Sequence, residues 1–356
     1  MSLKKLIAKR VLLIIPTVLG VVTLIFVALI PVPPIIRVFF YLRGHGVGGD
    51  PYNMLFLNQR LKEFGLDRPI FLQWLEWIGN VARLDFGASM SSGASPMQLV
   101  FRALPTTLEL ILYSAPLIIL FAVWLGTKAA LNHNRPVDHV ARIAATAGAT
   151  LPVFLLAAIA VATPLFFYNQ LHFMPIEGLS YDMRMGLLKR IENGTFSRYT
   201  GLNTIDALLN GDMQLFLDAA AHLVLPVLVL VFTQGVALMR VTRSSLVEEL
   251  RKQYITSALA KGLTQKDAAY KHARKNALVS VITLSGVLLG NMVTGLVIVE
   301  RVFMIPGFCN LLVYSAIRYD IPVVVACSTF AAIVFVLVNL AVDILYRVVD
   351  PRIRLQ

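Results

Sequence analysis

The sequence predicts an all-α membrane protein with six transmembrane helices, and three observations carry that expectation. The 356 residues are 57% apolar and only 15% charged. The mean hydropathy is +0.73, well to the apolar side of soluble-domain composition. Six apolar stretches, roughly 9–30, 106–127, 143–167, 222–240, 277–299 and 323–346, are close to the ~20 residues that a helix needs to cross a bilayer. The placement of charge is the third observation. With the N-terminus inside, segments 1–10, 127–142, 240–276 and 343 onward carry formal charges of +4, +2, +6 and +1. Segments 31–104, 168–221 and 300–320 carry +2, −2 and 0. Basic enrichment of the shorter loops on one face is the positive-inside pattern. It puts both termini in the cytoplasm and accounts for the net charge of +12 without nucleic acid.

The first stretch starts basic and runs apolar from Val11 to Ile30. That is longer than a signal-peptide core, and Pro31, Val32, Pro33 and Pro34 follow it in place of a small-residue cleavage site. It reads as a retained transmembrane helix. Prolines 16, 116, 152, 164 and 226 interrupt several of the stretches and are tolerable as kinks inside a bundle. The outer loop 31–104 contains a run from Ile70 to Leu84 in which Phe71, Trp74, Leu75, Ile78 and Ala82 recur at helical spacing, with Trp77 beside them. It reads as an amphipathic helix, lying at the outer interface or packed on the outer ends of the bundle. The second outer loop, 168–221, is polar, with turn signals at Asn193–Gly194 and Asn210–Gly211. The chain therefore divides into 1–105, one transmembrane helix plus an outer loop with amphipathic helices, and 106–356, a five-helix core. Neither a fixed-period repeat nor an inverted repeat is visible.

One inner segment is more than a link. Arg240 to Asn276 holds nine Lys/Arg against three acids. Within it, Tyr254 to Lys261 can form a helix, Gly262 can take the left-handed geometry that ends one, and Thr264 with Asp267 resembles a capping box for the next. The grammar is that of a helix–Gly–helix elbow below the membrane, suited to docking a cytoplasmic protein. No GxxxxGK[ST] phosphate loop, HExxH or GxSxG motif occurs. The histidines 45, 133, 139, 172, 222 and 272 are scattered, and Cys309 and Cys327 read as two unlinked thiols. No cofactor or metal is expected on this chain. Glu109 is the best intramembrane ionisable group; placed in the first turns of its helix, it reads as a structural partner of helix-N-terminal amides or as a pathway residue. Asp343 reads as a partner for Arg347 or a neighbouring base.

At these residues the chain resembles the dipeptide/oligopeptide-type permeases of ABC importers over almost its whole length. The family's coupling motif of the EAA type stands here as Tyr254, then Ser257, Ala258, Leu259, Ala260, Lys261, Gly262 and Leu263. His222 to Pro226, Arg240 to Leu246, His272 to Ala277, Glu300 to Phe303 with Pro306 and Gly307, Pro322 to Val324, Asn339 to Asp343 and Asp350 to Arg354 match family stretches, as do Phe64 to Pro69 and Leu84 to Ser89 in the outer loop. Each motif is weak alone, and their order and spacing are specific. There are departures. Leu259 stands where arginine is usual, the namesake glutamate is absent, Val279 replaces a proline, and Cys309–Asn310 replaces glycine-arginine. The family's glycine-aspartate-proline is either Val32, Pro33 and Pro34 or, after an insertion, Gly49, Asp50 and Pro51.

The resemblance implies a type I ABC importer permease fold in the plasma (inner) membrane. It implies a second homologous permease subunit, two cytoplasmic ABC ATPases carrying ATP and Mg, and an extracytoplasmic binding protein that delivers dipeptides or oligopeptides. Relatives also carry oligosaccharides or nickel. The coupling residues it assigns are Tyr254, Ser257, Ala258, Ala260, Lys261, Gly262 and Leu263. A self-sufficient secondary transporter is the competing class, and scarce intramembrane charge speaks against it. An intramembrane enzyme would need a nucleophile or metal constellation that the sequence lacks.

Overall fold

A computed structural model describes residues 3–42, 54–166 and 178–349. Among these residues all regular structure is helical. The chain forms two compact units, residues 1–105 with 307–340 and residues 106–306 with 341–356.

In the first unit, α1 (Leu3–Leu29) is followed by α2 (Pro34–Leu42), α3 (Met54–Glu63) and α4 (Ile70–Ala82), and later by α14 (Phe308–Ile317). Helix α4 packs on α1. The Trp74 indole donates to Thr23 Oγ1 at 3.1 Å, the Trp77 and Phe26 rings lie 5.9 Å apart, and Val81 is buried with Val22 and Val325. The packed face is therefore 74/77/81, and Phe71 and Leu75 of the predicted apolar stripe are exposed. The outer turn after α4 is tied to the start of α15 (Ile321–Val349). Ser89 and Ser91 hydroxyls donate to Asp320 at 2.6 and 2.7 Å, and the Met90 and Ser91 amides donate to it at 3.0 Å.

The second unit is built on α5 (Pro96–Leu131) from Thr106 onward, α6 (Pro136–Thr150), α7 (Val153–Phe166), α8 (Tyr181–Glu192), α9 (Asn203–Leu209), α10 (Met213–Leu250) and α13 (Arg274–Val302). Where helices approach closely, glycine makes room. A Cβ at Gly126 would lie 2.7 Å from Thr242 Cβ and 2.9 Å from the Met239 carbonyl oxygen.

Among the described residues four helices, at Arg10–Leu29, Pro96–Leu131, Met213–Leu250 and Ile321–Leu340, are long and apolar enough to cross a membrane, or five if α6 and α7 count as one span. The expected single stretch 143–167 is thus a broken pair, bent by 103°. Pro152 supplies no amide hydrogen, and Leu151 before it is extended at φ −75°, ψ 120°, as the residue preceding proline prefers. Two boundaries also move. Helix α5 begins at Pro96, so Glu109 is more than three turns in rather than in the first turns. Helix α10 runs to Leu250, so residues 240–250 of the expected 240–276 loop continue a helix. Asp343's side chain, residues 49–51 and residues 350–354 lie outside what is described.

Candidate functional site

The elbow begins where α10 ends. Arg251 and Lys252 turn the chain, α11 covers Gln253–Ala260, and Thr264 caps α12 (Gln265–Ala268). The cap is reciprocal at one residue pair: Thr264 Oγ1 accepts from the Asp267 amide at 3.1 Å and its hydroxyl donates to Asp267 Oδ2 at 2.6 Å. Helix α12 then passes through a π turn, Ala269–Ala273, directly into α13. The second arm is therefore the foot of a long apolar helix rather than a separate short one.

Gly262 closes the first arm with a Schellman arrangement. Its amide donates to Leu259 O at 2.9 Å, and the Leu263 amide donates to Ala258 O at 3.3 Å. This requires a left-handed residue, and Gly262 has φ +90°. No atom lies within 4 Å of a Cβ built there, so the constraint is conformational and not steric.

Ile255 anchors α11. It is buried with Leu246, Ala268, Ala273, Ala277 and Ala130. The opposite face is open: Ser257, Leu259, Ala260, Lys261 and Gly262 are exposed, and Ala258 and Leu263 are half-buried. Tyr254 fastens the two ends of the elbow. Its hydroxyl donates to Glu249 Oε2 at 2.5 Å and accepts from Asn276 Nδ2 at 3.1 Å. Partial burial, then the adjacent Glu249 carboxylate, push the phenol above its ordinary range, so it keeps the proton that makes the first bond.

A second support escaped the sequence reading. Asp138, fully buried in the segment 127–142, pairs with Arg243 through both carboxylate oxygens. It also accepts from the Asn134 amide at 3.0 Å. Arg240 donates to Ala145 O at 2.9 Å. The signal available in the sequence was the lone acid in an otherwise basic inner segment.

Glu109 lies apart from the elbow. Its carboxylate accepts from the Thr204 amide at 2.7 Å, the Thr204 hydroxyl at 2.5 Å and the Asn203 amide at 3.3 Å. It does meet helix-N-terminal amides, but those of α9 and not of its own helix. Tyr113 reaches the same Thr204 hydroxyl at 2.9 Å. This is the geometry of a side-chain cap supplied from a neighbouring helix.

Residues 118–355 match the model of the family described as binding-protein-dependent transport system inner membrane component. A di/tripeptide transport system permease protein, DppB, of Pseudomonas aeruginosa (strain UCBPP-PA14) is 34% identical across 98% of this chain and 98% of its own length. An oligopeptide transport system permease protein, AppB, of Bacillus subtilis (strain 168) is 31% identical, also across 98% of each. The dipeptide transport system permease protein DppB of Escherichia coli (strain K12) is 32% identical with the same coverage. Similarity that spans both the outer-loop unit and the helical core is not the mark of one shared motif: the chain is a member of the binding-protein-dependent transport system inner membrane component family, in company with the dipeptide and oligopeptide permeases.

Proposed function

We propose that this chain is the transmembrane permease subunit of an ATP-driven importer of dipeptides or oligopeptides. It forms half of the translocation pathway, beside a second homologous permease, and takes solute from an extracytoplasmic binding protein. Two cytoplasmic ABC ATPases hold ATP and Mg and dock on the elbow, so this subunit is not itself catalytic. Six membrane crossings, with both termini cytoplasmic, give residues 1–105 the role of a peripheral helix plus outer loop and residues 106–356 that of the permease core.

The observation that supports coupling most directly is the elbow itself. Its exposed face is mostly small residues around Leu259, with Lys261 at the edge, and its second arm is continuous with α13. A partner that moves this knuckle moves a long helix with it. Ser257, Ala258 and Ala260 leave room for another protein's surface, Gly262 sets the bend, and Tyr254 and Leu263 hold the flanks. Glu109 caps α9 and has a structural part rather than one in the pathway.

The test is Gly262→Val in the assembled transporter. A β-branched residue at φ +90° is strained, and the bend is expected to open. Transport is then lost and ATPase activity is released from solute control, while the chain still inserts and purifies. Unchanged uptake would remove the coupling assignment.

A further inference from the structure

Helix α6 has one face packed within the second unit and one that is exposed. The packed face holds Asp138, Ala141 and Ala145, all buried. Two polar ties bolt it to α10: Arg243 engages Asp138, and Arg240 donates to the Ala145 carbonyl oxygen. These ties fix which side of α6 points away.

That outer side changes character along the helix. Arg135, His139 and Arg142 recur at i, i+4 and i+7, the spacing of one row on a helix surface, and all three are exposed. Asp138 is the one acid between Trp124 and Thr150, and it is buried, so every exposed formal charge in this stretch is positive. Arg142 Nε lies 4.0 Å from Asp138, but Arg243 already engages that carboxylate through both oxygens. Beside the basic row stand Val140 and Ile143, 66% and 69% exposed. Further along, Thr146 and Thr150 turn their hydroxyls back on the Arg142 and Thr146 carbonyls at 3.0 and 2.8 Å. Their donors are thus satisfied without water.

Two observations place this side at a membrane boundary. Just before α6, at the end of α5, Lys128 Nζ sits 4.1 Å from the centroid of the Trp124 ring, and that indole is 57% exposed. Tryptophan and lysine together are residues of the membrane–water interface. Helix α7 carries no charged residue and meets α6 at 103°. With α7 across the bilayer, α6 therefore runs close to the membrane plane. A helix facing water gains nothing by exposing Val140 and Ile143, and one deep in hydrocarbon pays heavily for Arg135 and Arg142.

We propose that α6 is a surface helix of the membrane interface that binds anionic phospholipid. Arg135 and Arg142 meet the headgroups, Lys128 with Trp124 lies at the same boundary, and acyl chains cover Val140 and Ile143. The site does not depend on the coupling role of the elbow.

The experiment puts a benzoylphenylalanine photoprobe at Ile143 of the full chain in the assembled transporter, reconstituted in nanodiscs of equal parts phosphatidylglycerol and phosphatidylcholine. Mass spectrometry identifies what is captured on illumination. Phospholipid adducts are expected, with phosphatidylglycerol captured about fivefold or more over phosphatidylcholine, as bases near a charged headgroup layer require. Arg135→Gln combined with Arg142→Gln is expected to keep total lipid capture and bring that ratio towards one. If the double variant fails to assemble, the unmodified basic row decides, because its headgroup preference must fall as salt is raised. Nanodiscs present the same lipids on both faces, so the result is independent of which side segment 127–142 occupies. Capture of a polypeptide in place of lipid would overturn the proposal by making this face a protein interface. Absence of lipid adducts would overturn it too, as would a ratio near one or a ratio that neither salt nor the substitutions change.

Discussion

Single residues set the two ends of the proposed machinery. At Glu109 three donors converge on one carboxylate: two α9 amides and the Thr204 hydroxyl. Glu109→Ala leaves the two amides without this acceptor and the Thr204 hydroxyl with Tyr113 alone, and buried orphan donors cost about 1–3 kcal/mol each. The thermal midpoint of the purified chain is expected to fall, and uptake to fall only as folded protein is lost. Lost uptake with an unchanged midpoint would restore a pathway role. Asp320 is the corresponding residue in the other unit. Burial pushes its carboxyl up, but the donors from Ser89, Ser91 and Met90 outweigh it and hold it below its ordinary value of 3.8. A depressed carboxylate contributes stability in full above the unfolded value and loses it as pH falls through the folded one. Asp320→Asn is therefore expected to lower stability at neutral pH and to narrow its gap from the unmodified chain as the pH drops below about 4, read by thermal melts across pH.

Helices meet through small residues, and that is where element-scale changes are felt. Gly126→Ala places a methyl 2.7 Å from Thr242 Cβ and 2.9 Å from a backbone oxygen. Neither is a flexible side-chain end, so α5 and α10 must separate, at about 1–3 kcal/mol for an overpacked contact. Gly186→Ala in α8 meets open space and is expected to be neutral or stabilising by up to ~1 kcal/mol through helix propensity. Paired thermal melts of these two variants separate close packing from propensity. Element existence was legible in the apolar stretches, whose described residues fall almost wholly on a helix or, for 143–167, a bent pair. Helix ends were less legible. Apolarity marks only the part of a helix that lipid or neighbours bury, whereas α5 and α10 continue through polar residues whose backbone hydrogen bonds persist beyond the apolar run.

For the whole molecule, the charge distribution makes a topological prediction that needs no atomic detail. Alkaline phosphatase fused after Arg135 is expected to be inactive, and fused after Gly194 to be active, since the first segment is read as cytoplasmic and the second as outer. The reverse pattern would invert the docking face and remove the elbow from any cytoplasmic ATPase. Of the candidate site, the elbow's bend was visible from Gly262 and Thr264, because a left-handed cap and an N-cap depend on neighbouring residues alone. The fastening of that elbow was not visible. Tyr254 joins Glu249 to Asn276, and Arg243 joins a carboxylate 105 positions away.

The sequence by itself determined the membrane class, the helical content and the place of the knuckle. All of these follow from composition, local periodicity and short-range backbone rules. Only the tertiary structure decided that the knuckle's second arm is the foot of α13 and that Glu109 caps another chain segment's helix. It alone left Arg37 Nε and Trp77 Nε1 buried without an acceptor among the described residues. Those outcomes depend on which buried polar groups find partners across long sequence separations, a matter settled by packing and desolvation and carried by no local pattern.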